Sequence, residues 1–202
     1  MIKTHKELAS HIAGKKIMLM NSLGKDSILC LDWLHNYAQP AEINSFSMKF
    51  MASHPDDQKY IGYLKKRYPK ASWFAEYNPL EISKILLGFY QHPTDVYSEW
   101  NHFEFDTLDY DKFVEDWRVK LDCDFVCFGE SRYESFARAT QFHKRGIVQD
   151  KAIFPLGMMD KQQVFDLIKT TGIFFCKAYS AIFLTHKLFH YSSFLEFRYI
   201  MR

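Results

Sequence analysis

Short apolar runs alternate with helical spacings along most of this chain. Residues 15–21 (KKIMLMN) form an apolar run after Gly14, as a buried strand would, and Ile28, Leu31, Leu34 and Tyr37 then recur at helical spacing over 24–38. The cycle repeats. INSFSMKF (43–50) predicts a strand, and DDQKYIGYLKKRY (56–68) a helix bounded by Pro55 and Pro69. A third cycle joins a strand at ASWFAEY (71–77) to a helix at PLEISKILLGFY (79–90), with Pro79 at the first helical position. Residues 92–111 lose the pattern; a stretch this long and this rich in acids and aromatics is expected to be a lid or site loop. Helical spacing returns in DKFVEDWRVKL (111–121), and DFVCFG (124–129) is the nearly continuous apolar run of a central parallel strand. After a polar, basic stretch (130–149), KAIFPL (151–156) suits a short strand, and DKQQVFDLIKTTG (160–172) a helix opened by Asp160 and closed near Gly172.

Alternating β and α units predict an α/β fold: a doubly wound, mostly parallel sheet with helices on both faces. With 202 residues, one domain over 1–172 and an aromatic C-terminal extension over 173–202 packed on it account for the chain. A content of 48% hydrophobic and 25% charged residues excludes a disordered, collagen-like or coiled-coil protein. The net charge of +2 excludes a uniformly basic nucleic-acid or membrane-surface protein, so partners must be read from local clusters. Four cysteines without a C-x-x-C pair, no signal-peptide pattern before residue 15 and no apolar run of about 18 residues predict reduced thiols in a cytoplasmic protein without a membrane span.

The chemistry concentrates at Ser22-Leu23-Gly24-Lys25-Asp26-Ser27, between the first strand and the first helix. Free N–H groups and partial positive charge at a helix start attract anions, and Gly24 lets the main chain approach a phosphate. Lys25 adds a full charge, Ser22 and Ser27 add hydroxyls, and Asp26 suits a cap or a magnesium ion brought by phosphates. This is not a Walker A loop: Leu19 and Asp26 stand where that pattern needs Gly and Ser or Thr. The six residues resemble the PP-loop, S-G-G-x-D-S or S-x-G-K-D-S, of the ATP pyrophosphatase and adenine-nucleotide alpha-hydrolase superfamily. Leu23 stands where many members carry Gly, as the phosphoadenosine phosphosulfate reductase-like branch allows.

A second stretch, Gly129-Glu130-Ser131-Arg132-Tyr133-Glu134-Ser135-Phe136-Ala137-Arg138, resembles the G-x-R-x-x-E-S-x-x-R signature of that branch, with one extra residue between Gly129 and Arg132. Arg132 and Arg138 suit bidentate bonds to phosphate or sulfate, with Glu134 orienting one of them. Phe154-Pro155-Leu156-Gly157-Met158-Met159-Asp160, followed by Val164, resembles the family's proline-containing turn before a helix. The resemblance spans about residues 15–170. It implies an adenine nucleotide, ATP with Mg, at the carboxyl ends of the strands, cleaved to AMP and pyrophosphate to adenylate an acceptor. Lys25, Asp26 and Arg132 would then be catalytic, Asp26 would hold the metal, and Ser22, Leu23, Gly24, Ser27, Gly129, Glu134, Ser135 and Arg138 would bind nucleotide and phosphates.

The C-terminal cysteine motif of sulfonucleotide reductases is absent. Cys176 has no second thiol nearby, and Cys123 and Cys127, read as sharing one strand face, stand about 13 Å apart by strand rise, too far for one metal. A reductase using another thiol and a non-catalytic nucleotide- or nucleic-acid-binding module are the alternatives. Seven carboxylates between Glu99 and Asp116 suit a solvated acidic face or a metal. Five Lys or Arg against two acids from Arg132 to Lys151, with Phe142 and His143 interleaved, suit a nucleotide or a nucleic-acid backbone, and a nucleotide suffices. His54 and His92 read as surface or capping histidines beside possible site loops. The acceptor stays open, and a homo-oligomer is compatible with the sequence.

Overall fold

A computed structural model describes residues 1–49, 56–77 and 109–174 of the protein. The helix read over 79–90, His54, His92, Cys176, almost all of the 92–111 segment and all but the first two residues of the 173–202 extension lie outside the described residues.

Strands β1 (Lys16–Met20), β2 (Glu42–Lys49), β3 (Ala71–Tyr77), β4 (Phe125–Cys127), β5 (Val148–Gln149) and β6 (Ala152–Ile153) form one sheet in the order β3-β2-β1-β4-β6-β5. All neighbours are parallel except the β5–β6 pair, which closes the edge as a small antiparallel hairpin. The order matters for function. From β1 the chain winds outward through α2 (Lys25–Trp33) to β2 and through α3 (Asp57–Arg67) to β3, whereas β4 returns to the opposite side of β1. The carboxyl ends of β1 and β4 therefore flank a switch point, where connections leave in opposite directions and a crevice opens.

Alternation along β1 sorts the core into two layers. Ile17 and Leu19 join a large cluster with Leu8, Ile28, Leu31, Leu64, Phe142 and Val164, drawn from α1 (His5–Ile12), α2, α3, α5 (Phe136–Arg145) and α6 (Lys161–Thr171). Met18 and Met20 face the other way, onto Phe46, Val126 and Val114, the last from α4 (Tyr110–Lys120). Helices thus cover both faces, and none among the described residues is long and apolar enough to cross a membrane.

The observed helix after β1 departs slightly from the predicted one: α2 continues through a π turn at Leu34–Ala38 before Gln39 ends it in a left-handed conformation. Two helices fall where sequence patterning signalled none. The first, α1, starts from a capping box in which Thr4 accepts from the Glu7 N–H and the Glu7 carboxylate accepts from the Thr4 N–H; T-x-x-E was its legible sign. The second, α5, lies within the stretch read as polar and basic, because Phe142 is its one buried side chain. Phe142 is therefore core, not an aromatic interleaved in a basic surface; its ring packs 5.2 Å from that of Phe154.

One further reading is corrected, and one is seen in part. Cys123 and Cys127 do not share a face: Asp122 turns the chain through a positive φ of 50°, β4 starts only at Phe125, and the two thiols enter different core layers. At the start of α4, Asp109 caps the helix, while Glu115 and Asp116 pair with Arg118 and Lys112, as an ordinary solvated helix face does. Among the described residues no group of three or more His, Cys, Asp or Glu forms a metal site.

Because Phe142 anchors α5 to the sheet, Phe142→Ala is expected to destabilise the protein by about 3–5 kcal/mol in urea unfolding, and the loss should be largely absent in Phe142→Leu.

Candidate functional site

Asn21, the first residue past β1, fastens the loop that follows. Its N–H donates to Phe46 O (2.7 Å), its side-chain amide donates to Ser45 Oγ (3.0 Å), and its Oδ1 accepts from the Leu23 N–H (2.8 Å). Only 2% of Asn21 is exposed, so each bond is made in a dry environment where losing it is costly. The turn forces Leu23 into the left-handed region at φ 61°, which costs a residue with a Cβ about 1–2 kcal/mol. Packing of Leu23 against the core and its N–H bond to Asn21 oppose that cost.

Gly24 then opens α2 in an extended conformation, and no side chain caps the helix. The first-turn N–H groups accordingly have no intrahelical acceptor, and Gly24, Asp26 and Ser27 line the crevice at the switch point. Ser27 is nearly buried; its hydroxyl lies 2.9 Å from Gly24 O and 3.2 Å from Asn21 Oδ1, and the Ser22 hydroxyl is 3.3 Å away.

The second motif arrives from β4, and it touches the first through backbone. A β-carbon placed on Gly129 would fall 2.7 Å from Ser27 N and 2.8 Å from the carbonyl carbon of Asp26, closer than such contacts permit. Side chains complete the junction: Lys25 donates to Asp26 and to Tyr133 Oη (2.6 Å). Burial works against the Lys25 ammonium, but its hydrogen bonds to Asp26 and Tyr133 more than offset this, raising its pKa above the ordinary lysine value.

An open crevice of about 940 Å³ lies over this junction. Ser22, Leu23, Gly24, Asp26, Ser27, Gly129, Glu134 and Arg138 line it, so residues more than 100 positions apart share one surface. Phe46, Met48, Trp73 and Phe74 extend its wall along the ends of β2 and β3. Arg138, from the first turn of α5, is held by Glu130 (3.3 Å) and Glu134.

Three sequence-read residues are placed otherwise. Lys25 stands beside the crevice, turned to Tyr133. Ser135 is the N-cap of α5, its hydroxyl accepting from the Arg138 N–H (3.2 Å). Arg132 is 3.7 Å from Asp160 at the start of α6 and is not among the lining residues. The reason lies in the register. Counted back from Glu134-Ser135, the arginine position of the signature falls on Ser131, which is fully buried, so Arg132 comes one residue late and leaves on another side of the turn. Asn21 and Tyr133 are the residues that sequence reasoning missed. The sign of Asn21 was a polar residue closing an apolar strand; Tyr133 carried none.

The close backbone approach makes a direct expectation. Gly129→Ala should lower stability by about 1–3 kcal/mol in thermal or urea unfolding, because the added methyl meets main chain that cannot move aside.

No family model matches the sequence, and no characterised protein matches it by sequence. Solved structures do match the fold. A U34-tRNA thiolase from Methanococcus maripaludis, solved with its [4Fe-4S] cluster, superposes with a TM-score of 0.53 at 14% identity over 86% of this chain. The chain spans 65% of that thiolase's length. A phosphoadenylyl-sulfate reductase from Candida auris, in a phosphate complex, gives 0.53 at 11% identity, covering 89% of this chain and 85% of the reductase. An NH3-dependent NAD synthetase from Campylobacter jejuni, in complex with nitrate, gives 0.51 at 16% identity, covering 87% and 74%. With its parallel sheet, its switch point between β1 and β4 and its Ser22–Ser27 loop there, the chain has the fold of the PP-loop adenine nucleotide alpha-hydrolases.

Proposed function

We propose that the crevice binds ATP and that the protein activates an acceptor by adenylation. The observation that carries this reading is the uncapped start of α2 abutting Gly129 at the switch point, a cradle of main-chain donors beneath an open crevice. The pyrophosphate end of the nucleotide lies over Gly24, Asp26 and Ser27, with the Lys25 ammonium alongside. The apolar wall of Phe46, Met48, Trp73 and Phe74 takes the base.

In the reaction, a nucleophilic atom of the acceptor attacks the α-phosphorus, the bond to the oxygen bridging the α- and β-phosphates breaks, and pyrophosphate leaves with the electron pair. The acceptor carries AMP, which a later displacement releases. The chain's own contribution is charge stabilisation by donors already in place. Asp26, a residue of the crevice lining, is the carboxylate that would hold magnesium; its oxygens are engaged by Lys25 and Tyr133, and one of those contacts would give way to an ion otherwise held by phosphate oxygens and water. When bound, magnesium neutralises the leaving pyrophosphate.

Arg138 is the arginine that the reading assigns to the substrate. Its present partners, Glu130 and Glu134, orient it at the crevice edge. Arg132, paired with Asp160, receives no part in catalysis.

Two measurements test this reading. Purified protein incubated with ATP and magnesium, together with candidate acceptors, should release pyrophosphate. In titration calorimetry Lys25→Ala should weaken ATP binding about 10- to 150-fold, the equivalent of one charge-assisted hydrogen bond. Unchanged ATP affinity in that variant would remove the site assignment.

A further inference from the structure

We propose that Tyr133 is the positioning residue for Lys25: its hydroxyl, presented by the turn after β4, fixes where the ammonium sits beside the pyrophosphate position. This inference rests on the nucleotide reading above.

Lysine ends in a compact charge on a flexible four-carbon stem, so aiming it requires a partner. Here the partner comes from the other motif. Tyr133 Oη accepts from Lys25 Nζ at 2.6 Å, and Tyr133 O–H donates to Asp26 Oδ1 at 3.4 Å. The tyrosine ring adds a second attraction, with Nζ 5.3 Å from its centre. Lys25 also donates to Asp26, closing a three-membered ring of contacts in which the lysine and aspartate side chains are only 13% and 16% exposed.

The shifted register explains how a tyrosine reaches this place. Ser131 is buried with no partner for its hydroxyl among the described residues, and the 3-10 turn Arg132–Glu134 begins immediately after it. Successive residues of such a turn project about 120° apart. Arg132 thereby leaves toward Asp160 and Tyr133 toward Lys25. Having lost one arginine from the crevice, the second motif reaches the phosphate position indirectly, by holding the lysine of the first. Neither Lys25 nor Tyr133 lines the crevice; both stand beside it, and of the two only Lys25 carries a charge that attracts an anionic tail, so Tyr133 acts through Lys25.

The test is a double-mutant cycle read with two ligands. Wild type, Tyr133→Phe, Lys25→Ala and the double variant are titrated calorimetrically with ATP in excess magnesium and with AMP, which lacks the pyrophosphate; matched melting temperatures verify that Tyr133→Phe, which keeps the ring, is folded. Tyr133→Phe should raise the ATP dissociation constant about 3- to 15-fold and leave that for AMP within about twofold. The double variant should bind ATP no more weakly than Lys25→Ala alone, because Tyr133 has nothing left to position. Unchanged ATP affinity in Tyr133→Phe, equal losses for ATP and AMP, or additive losses in the double variant would each overturn the inference. Wild-type protein that binds neither ligand would overturn the nucleotide reading beneath it, a result seen in the wild-type arm alone.

Discussion

The close approach of Gly129 to the first turn of α2 is the constraint on which the site depends. Two parallel strands, β1 and β4, lie side by side with their carboxyl ends level, and the chain leaving each must turn at once. The first turns into a helix whose opening N–H groups have no intrahelical acceptor. The second passes so near that only hydrogen fits in place of a side chain. Main-chain donors and the second motif are thus held together by steric fit, which side-chain ion pairs at an exposed rim could not achieve with the same rigidity.

Around that contact the polar groups are arranged to prevent the loop from relaxing. Asn21 ties Leu23 and the middle of β2 to the end of β1, and Leu23 accepts a left-handed backbone to make the turn. Strain of this kind persists only when surrounding structure overdetermines it, and a buried amide with three satisfied bonds does so. The crevice mouth mixes charges: Asp26, Glu130 and Glu134 stand among Arg138 and the main-chain dipole. On the proposed reading, a fully ionised nucleotide tail would meet directional donors more than a net positive field, and a divalent cation on Asp26 would complete the neutralisation.

Much of the fold was legible because period and punctuation agree with burial. The run 71–77 is β3, the spacing over 56–68 is α3 less its ends, and Asp160 with Gln163 and Gly172 bracket α6 as capping chemistry requires. Of the two helices not read from the sequence, α1 is short, with only Leu8 and Ile12 buried, and α5 stands among charged and polar residues with Phe142 its one buried side chain; it starts from Ser135 and packs Phe142 against the sheet. Cys123 was misplaced because strand alternation was extended through Asp122, where a positive φ resets which way side chains face.

The amino-acid order alone determined the strand, turn and helix start at Ser22–Ser27, since these are local properties, settled by residues a few positions apart; that Asp26 does not cap the helix was seen only in the structure. It also determined that a second stretch with two arginines follows β4. Which members of that stretch look into the crevice was decided only by the tertiary structure. Ser131 is buried, the turn after it sends Arg132 to the start of α6 and Tyr133 to Lys25, and these contacts join segments distant in the chain, so they are invisible to any local pattern.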